Sequence, residues 1–401
     1  MIVRQKIIEQ LQGKWARFVD FNKSLSAEVK DYQGALKKLS QMSAADLESR
    51  LHDIDNPGAV PTVEFNLAPD LNLDFPHIFT NHQHAREWAS EVLLDRTTVA
   101  VDGSQIRHDP DFSLPVAAVQ VAWFENHHSR DGRYTKDTIF EILDPDELLV
   151  EVDGESIYSE QKVNLRRFEM EAARLCSLIE KTASGLTPPA RLPVAFFDSS
   201  LVISFADRLS EELQQRHIGA VLKLLRSSRA PGIPLIGYVD SSRAHDLTRM
   251  LSHVFNLDNA EKLHDTRLIS PLLAWGARTP MFTCARGSAD LKKKGVLDHF
   301  DEFRREIGFV YLKAGGSSAP ARLEIPKWIY DKGLLDEVLD AVRAEIIVGN
   351  GYPYVISAAD AAAVINGADR EAFYAIFQRF AEEQGIDTGI SRKAASKARR
   401  R

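Results

Sequence analysis

The chain has only two cysteines, Cys176 and Cys284, set far apart in 401 residues. That excludes a disulfide framework and points to a reducing compartment. Neither cysteine has the neighbours of a zinc site, so both read as small buried residues. No apolar run approaches the roughly 20 residues that a membrane span needs. The amphipathic start carries charges throughout, unlike a secretory leader. A cytoplasmic protein without a membrane segment is expected. A basic surplus is missing too: 50 Lys and Arg against 57 Asp and Glu leave a net charge of −7. Nucleic-acid-binding domains are often basic, but the distribution of charge matters more than its sum. The last eleven residues, 391–401, hold six Lys or Arg and no acid. Such a tail suits non-specific phosphate contact, or simply a solvated terminus. What is present, 44% hydrophobic and 27% charged residues, is an ordinary folded composition.

Three zones follow one another. Residues 1–88 read as a mostly helical extension, with helical spacing over 4–22, 24–40 and 43–53 and a break at Asn56-Pro57-Gly58. His77, His82 and His84 fall in this zone, but no register converges them, so they read as surface or core histidines rather than metal ligands. From residue 89 the period changes. Thr97–Val101 is β-branched and apolar, and Asp102-Gly103-Ser104 reads as a turn after it. Strands are expected at 115–124 and 135–143, a long helix at 161–181, and a buried strand at 193–197. A helix at 206–228, a strand at 233–239 and a helix at 243–255 come next. Strands near 308–314 and 321–325, a helix near 333–347 and a final helix starting near 357 complete this zone, 89–380. The segment 381–401 reads as a basic, unstructured tail. Three strands, a helix, then alternating strand and helix predict an α/β fold of RNase H-like order: a mixed sheet flanked by helices.

Four acids stand out by position. Asp102 ends a run of small or β-branched residues, where a carboxylate is costly unless paired or metal-bound. A turn-initiating Asp capping Gly103-Ser104 is the competing reading. Asp198 repeats the arrangement after Val194–Phe197, so if the two strands are neighbours both carboxylates reach one sheet edge. Glu171 lies within the helical stripe Phe168, Ala172, Leu175 and Leu178, on the core face. Glu169 lies on a flank and is the alternative, with Arg166 or solvent on the Lys162 side as its surroundings. Asp360 is the sole charge in an Ala-rich helical run, where a first-turn Asp favoured by the helix dipole is the plain explanation. Together the four make an all-oxygen set suited to Mn²⁺ or Mg²⁺ in a two-metal site for phosphodiester cleavage. Trp123 and Phe124 read as core rather than as base-stacking residues.

Val101-Asp102-Gly103-Ser104, the helix segment Asn164–Glu171, Phe197-Asp198-Ser199-Ser200-Leu201 and Gly351-Tyr352-Pro353-Tyr354 resemble, in order, the motifs of the NurA nuclease family. The resemblance spans about residues 95–375. It implies an RNase H-like fold, a homodimer and Mn²⁺-dependent cleavage of single-stranded DNA and duplex ends. It further implies partnership with a HerA-like hexameric ATPase in DNA end resection and repair. By position it makes Asp102, Glu171 and Asp198 metal ligands and Tyr352 an active-site residue. Two departures stand out: Ser199 replaces the usual Gly, and Asp360 stands where many members have His. A non-catalytic dimeric scaffold of a DNA motor is the competing function, disfavoured by carboxylates on apolar faces. A sugar- or acetate-kinase-type ATPase shares the strand order but needs Gly-rich phosphate loops, which Gly103-Ser104 and Ser199-Ser200 supply poorly.

Overall fold

A computed structural model describes residues 3–186, 190–287, 294–315 and 319–386. In chain order the strands are β1 Gly58–Pro61, β2 Thr98–Ile106, β3 Ala117–Asn126, β4 Tyr134–Leu143, β5 Leu149–Val152 and β6 Glu155–Tyr158. They continue with β7 Val194–Phe197, β8 Leu235–Val239, β9 Phe282–Ala285, β10 Ile307–Leu312 and β11 Ala321–Pro326. The helices are α1 Arg4–Leu39, α2 Ala44–Leu51, α3 His82–Leu93, α4 Pro145–Leu148, α5 Glu160–Gly185 and α6 Glu211–Arg229. Then come α7 Asp246–Phe255, α8 Asp265–Ile269, α9 Lys327–Asp331, α10 Leu335–Val348, α11 Tyr354–Ala363 and α12 Gly367–Glu383. None of the described helices is long and apolar enough to cross a membrane.

The chain forms two compact units. The first gathers residues 1–78, 239–298 and 304–327; the second gathers 79–238, 299–303 and 328–401. In the second unit β2 pairs antiparallel with β3, and β3 with β4, while β2, β7 and β8 run parallel. The spatial order is β4-β3-β2-β7-β8. α5 carries the chain from the meander back to β7, and α6 makes the crossover to β8, as parallel pairing requires. This is the mixed sheet with flanking helices expected from the alternation of elements. Trp123 and Phe124 are buried, and the Arg174 guanidinium lies 3.5 Å from the Trp123 ring centre.

The first unit is built on the antiparallel order β1-β9-β10-β11. Its core is partly ionic. Asp246 is clasped by Arg286 at 2.5 Å and Arg322 at 2.7 Å, and Arg322 also reaches Glu324 at 2.8 Å. Asp265 accepts hydrogen bonds from the Leu247 and Thr248 amides at the start of α7 and from the Tyr311 hydroxyl. Cys284 lies beside Arg322, and both cysteines are free and buried.

Several elements differ from the reading of the sequence. α1 is one helix rather than two, since nothing at residue 23 interrupts its hydrogen bonding. Asp102-Gly103-Ser104 is strand, not turn: β2 stays paired with β3 as far as Ile106 opposite Ala118. The expected final helix is two, α11 and α12. The Asn366 side chain accepts from the Ala368 and Asp369 amides and starts the second helix. His77, His82 and His84 are all exposed. The basic run 391–401 lies outside the described residues.

Candidate metal centre

Register brings the first two acids together. Val101 pairs with Phe197 in the parallel β2/β7 ladder, so Asp102 and Asp198 are the next residues on adjacent strands. Neighbouring strands stand about 4.8 Å apart, which places the two carboxyl-bearing backbones side by side. Alternation then sorts the faces. Gly103 turns toward α5: a Cβ there would collide with the Glu171 carboxylate and stand 2.8 Å from Arg167 Cγ. Glycine is therefore what lets Glu171 approach the strand. Asp102 turns the other way, toward α11, where the Asp360 carboxylate faces it.

The electrostatics report the convergence. Burial pushes the Asp102 carboxyl up to about 6, and the charges of Asp198 and Asp360 add to that rise. Burial pushes Glu171 up to about 8; Arg167 opposes the shift while Asp102 and Asp198 reinforce it. Arg167 donates from one nitrogen to Glu171 at 3.2 Å and to the Gly103 carbonyl at 3.1 Å. Buried carboxylates gathered in this way, two of them raised, are typical of sites whose charge is offset by something bound. The acids are not closed around one point. Among the described residues no three Asp, Glu, His or Cys side chains stand in metal-ligand geometry. Their donors are nonetheless all oxygen, and the missing side chain at Gly103 admits the Glu171 carboxylate together with Arg167, so the set fits a hard divalent cation.

The five residues singled out from the sequence lie around this end of β2 and β7, on more than one face of the sheet. The Tyr352 hydroxyl donates to Asp198 at 2.7 Å, and its ring packs edge-on against Tyr238 at 5.1 Å. Asp360 is the seventh residue of α11, far past the first turn. Glu169 faces away: Arg216 holds it in a two-pronged pair at 2.8 and 2.7 Å, with Arg166 at 3.7 Å. Arg216 is a partner that spacing within α5 did not reveal.

Supporting residues escaped the sequence reading. Glu345, fully buried on α10, accepts from the Val355 amide at 2.9 Å and from Thr98 at 2.7 Å, with His128 at 3.0 Å. It thereby ties the first turn of α11, and with it Asp360, to the root of β2. Its one local signal is an acid among Val342, Ala344 and Ile346. Gly237 is another: a Cβ there would stand 2.9 Å from Leu201 and 3.0 Å from the Ser199 carbonyl, so glycine lets the loop after Asp198 fold over β8.

A β4-β3-β2-β7-β8 sheet with carboxylates at the end of its paired parallel strands defines the RNase H-like class. The NurA domain profile matches residues 96–365, more than half of the chain. The chain belongs to the NurA family. Among solved structures it is similar to a crystal structure of NurA with manganese, at 10% identity and a TM-score of 0.43, covering 71% of this chain and 89% of that one. A crystal structure of NurA bound to dAMP and manganese aligns at 11% identity and a TM-score of 0.35, covering 68% and 85%. No curated protein matches.

Proposed function

We propose that the protein is a metal-dependent DNA nuclease whose ligands are Asp102, Glu171, Asp198 and Asp360. The observation that carries this reading is the β2/β7 register that sets Asp102 beside Asp198, with Glu171 on α5 and Asp360 on α11 close enough for their charges to be felt, and with Asp102 and Glu171 both raised mainly by burial. A scaffold would gain nothing from concentrating negative charge there, whereas a nuclease must bring its own polyanionic substrate to this point. Bound between these carboxylates, two Mn²⁺ or Mg²⁺ ions would offset the phosphodiester charge and activate a water for in-line attack. The chain's own residues orient the acids. Tyr352 fixes one oxygen of Asp198, Arg167 holds Glu171 against β2, and Glu345 anchors the helix that bears Asp360. The assembly implied by the family resemblance, a homodimer acting with a HerA-like hexameric ATPase on DNA ends in repair, belongs to the same proposal.

The test is digestion of end-labelled linear duplex and single-stranded DNA with Mn²⁺, Mg²⁺ or EDTA, beside an Asp102→Ala variant of equal thermal stability. Metal-dependent cleavage by the wild type, abolished in the variant, is expected. A folded wild type that leaves DNA uncut in every metal, even beside its translocase, would hand the function to the scaffold reading.

A further inference from the structure

On the α11 face of the second unit's sheet a cleft opens between that helix and the β3/β4 hairpin. Its volume is about 570 Å³, within the ~300–1,000 Å³ of sites that hold small ligands. Phe124 of β3 is buried and forms the floor. Two tyrosine rings pack on it: Tyr134 of β4, with ring centres 5.4 Å apart, and Tyr354 at the start of α11, at 5.8 Å. They are 60% and 40% exposed, so much of each ring stays open to a ligand. Ala358 and Ala361 keep the α11 wall low, and Lys136 of β4 brings a positive charge. Among the described residues that line the cleft none is acidic, in a chain whose net charge is −7. Register sets this cleft beside the acids. Phe124 stands opposite Ala100, and Ala122 opposite Asp102, so floor and acid share one face about 7 Å apart along the strand. Asp360 directly precedes Ala361 on α11.

We propose that the cleft takes one nucleotide of a DNA strand, its base against Tyr134 and Tyr354 and its phosphate near Lys136, beside the phosphodiester held at the acids. The inference deepens the nuclease reading and rests on it for the identity of the ligand. Exposed aromatic rings over an aromatic floor suit a planar group, and a lysine without a neighbouring acid in the lining suits an anion; a nucleotide carries both. Trp123, the neighbouring aromatic on β3, points to the opposite face and is covered by Arg174, so it has no part in the cleft. Every base has a face to stack, so these rings detect that a base is present and not which one it is. Lys136 adds a phosphate contact that carries no sequence information.

The test is equilibrium binding of a short end-labelled oligothymidine to the full chain, read by fluorescence anisotropy beside an abasic strand of the same length. Ca²⁺ takes the place of Mn²⁺, and strand integrity is checked on a gel, so that binding is read apart from cleavage. The wild type is expected to hold the strand with bases roughly tenfold tighter or more. Tyr134→Ala/Tyr354→Ala should hold both strands alike, near the wild type's level for the abasic one, while Tyr134→Phe/Tyr354→Phe keeps the preference. Lys136→Gln should weaken both strands equally and lower the salt slope by about one. The comparison of the two strands on the wild type needs no variant, and thermal unfolding checks that the variants fold. Equal affinity of the wild type for the two strands overturns the proposal, as does a base preference that survives in the alanine double variant. A strand held with the expected preference yet never cut in Mn²⁺ leaves the cleft standing and removes the nuclease reading instead. A strand that is cut but held without base preference does the reverse.

Discussion

Glu171 and Asp102 hold protons that solvated carboxylates would have released, the first up to about 8 and the second up to about 6. A raised acid in the folded state means that the native protein binds more protons than the unfolded chain between the ordinary carboxylate range and the shifted value. Folding stability from these two groups is therefore full below about pH 4 and is lost as pH rises through about 6 and then about 8. Thermal unfolding of metal-free protein should show the midpoint falling between pH 5 and 8.5, and Glu171→Gln should flatten the upper part of that fall. A rising midpoint over the same range would contradict the assignment. Bound Mn²⁺ should reverse the trend, adding about 2.7 kcal/mol at a hundred times its dissociation constant. Tyr352→Phe removes the donor to Asp198 and leaves the rest of the site; a loss of ~10–100-fold in metal affinity or cleavage is expected of such an outer partner. Metal titration and kinetics on the variant would show it.

At the scale of elements, the site depends on two local devices. Gly103→Ala would drive a methyl into Glu171 and Arg167 within a paired strand, where overpacking costs roughly 1–3 kcal/mol, and should displace the acid and lower cleavage. Glu345→Leu would strip the Val355 amide of its partner, at about 1–3 kcal/mol for a buried donor left unpaired, and leave the Thr98 hydroxyl with His128. Urea unfolding of both variants gives these numbers directly. The strands and long helices around the site were legible because their period is local: β3, β4 and β7 and helix α5 fall within a few residues of where alternation and helical spacing put them. Asp102-Gly103-Ser104 misled because Asp-Gly-Ser is turn chemistry, and only the long β3 partner and the α5 carboxylate behind Gly103 force it straight. That Glu171 rather than Glu169 lies on the buried face of α5 was readable from the apolar stripe. The pair Arg216–Glu169 was not, since its members come from different helices. β1 and β9 gave no signal, being four residues each and separated by more than 200. Glu345 showed only as an acid out of place.

Along the chain two units alternate, and the one built on β1-β9-β10-β11 is held partly by charge rather than by oil. Burial works against the Asp246 carboxylate, yet Arg286 and Arg322 outweigh it and hold it below its usual range. Arg322→Met should take from Asp246 one of its two guanidinium partners and from Glu324 its 2.8 Å ion pair, costing about 3–5 kcal/mol in a buried ionic cluster. Chemical denaturation followed by circular dichroism would test it, and a loss under 1 kcal/mol would mean that water or neighbouring groups already compensate the acids. The interleaving also sets an order on biosynthesis. α1 is made before α7 and α8, which cover its second half and are encoded roughly 200 residues later, a wait on the order of 10–40 s at translation speeds of ~5–20 residues per second. Through that interval Leu25, Tyr32, Leu36 and Leu39 have no α7 or α8 to cover them, so the helix can settle only once the later half of its own unit has been made.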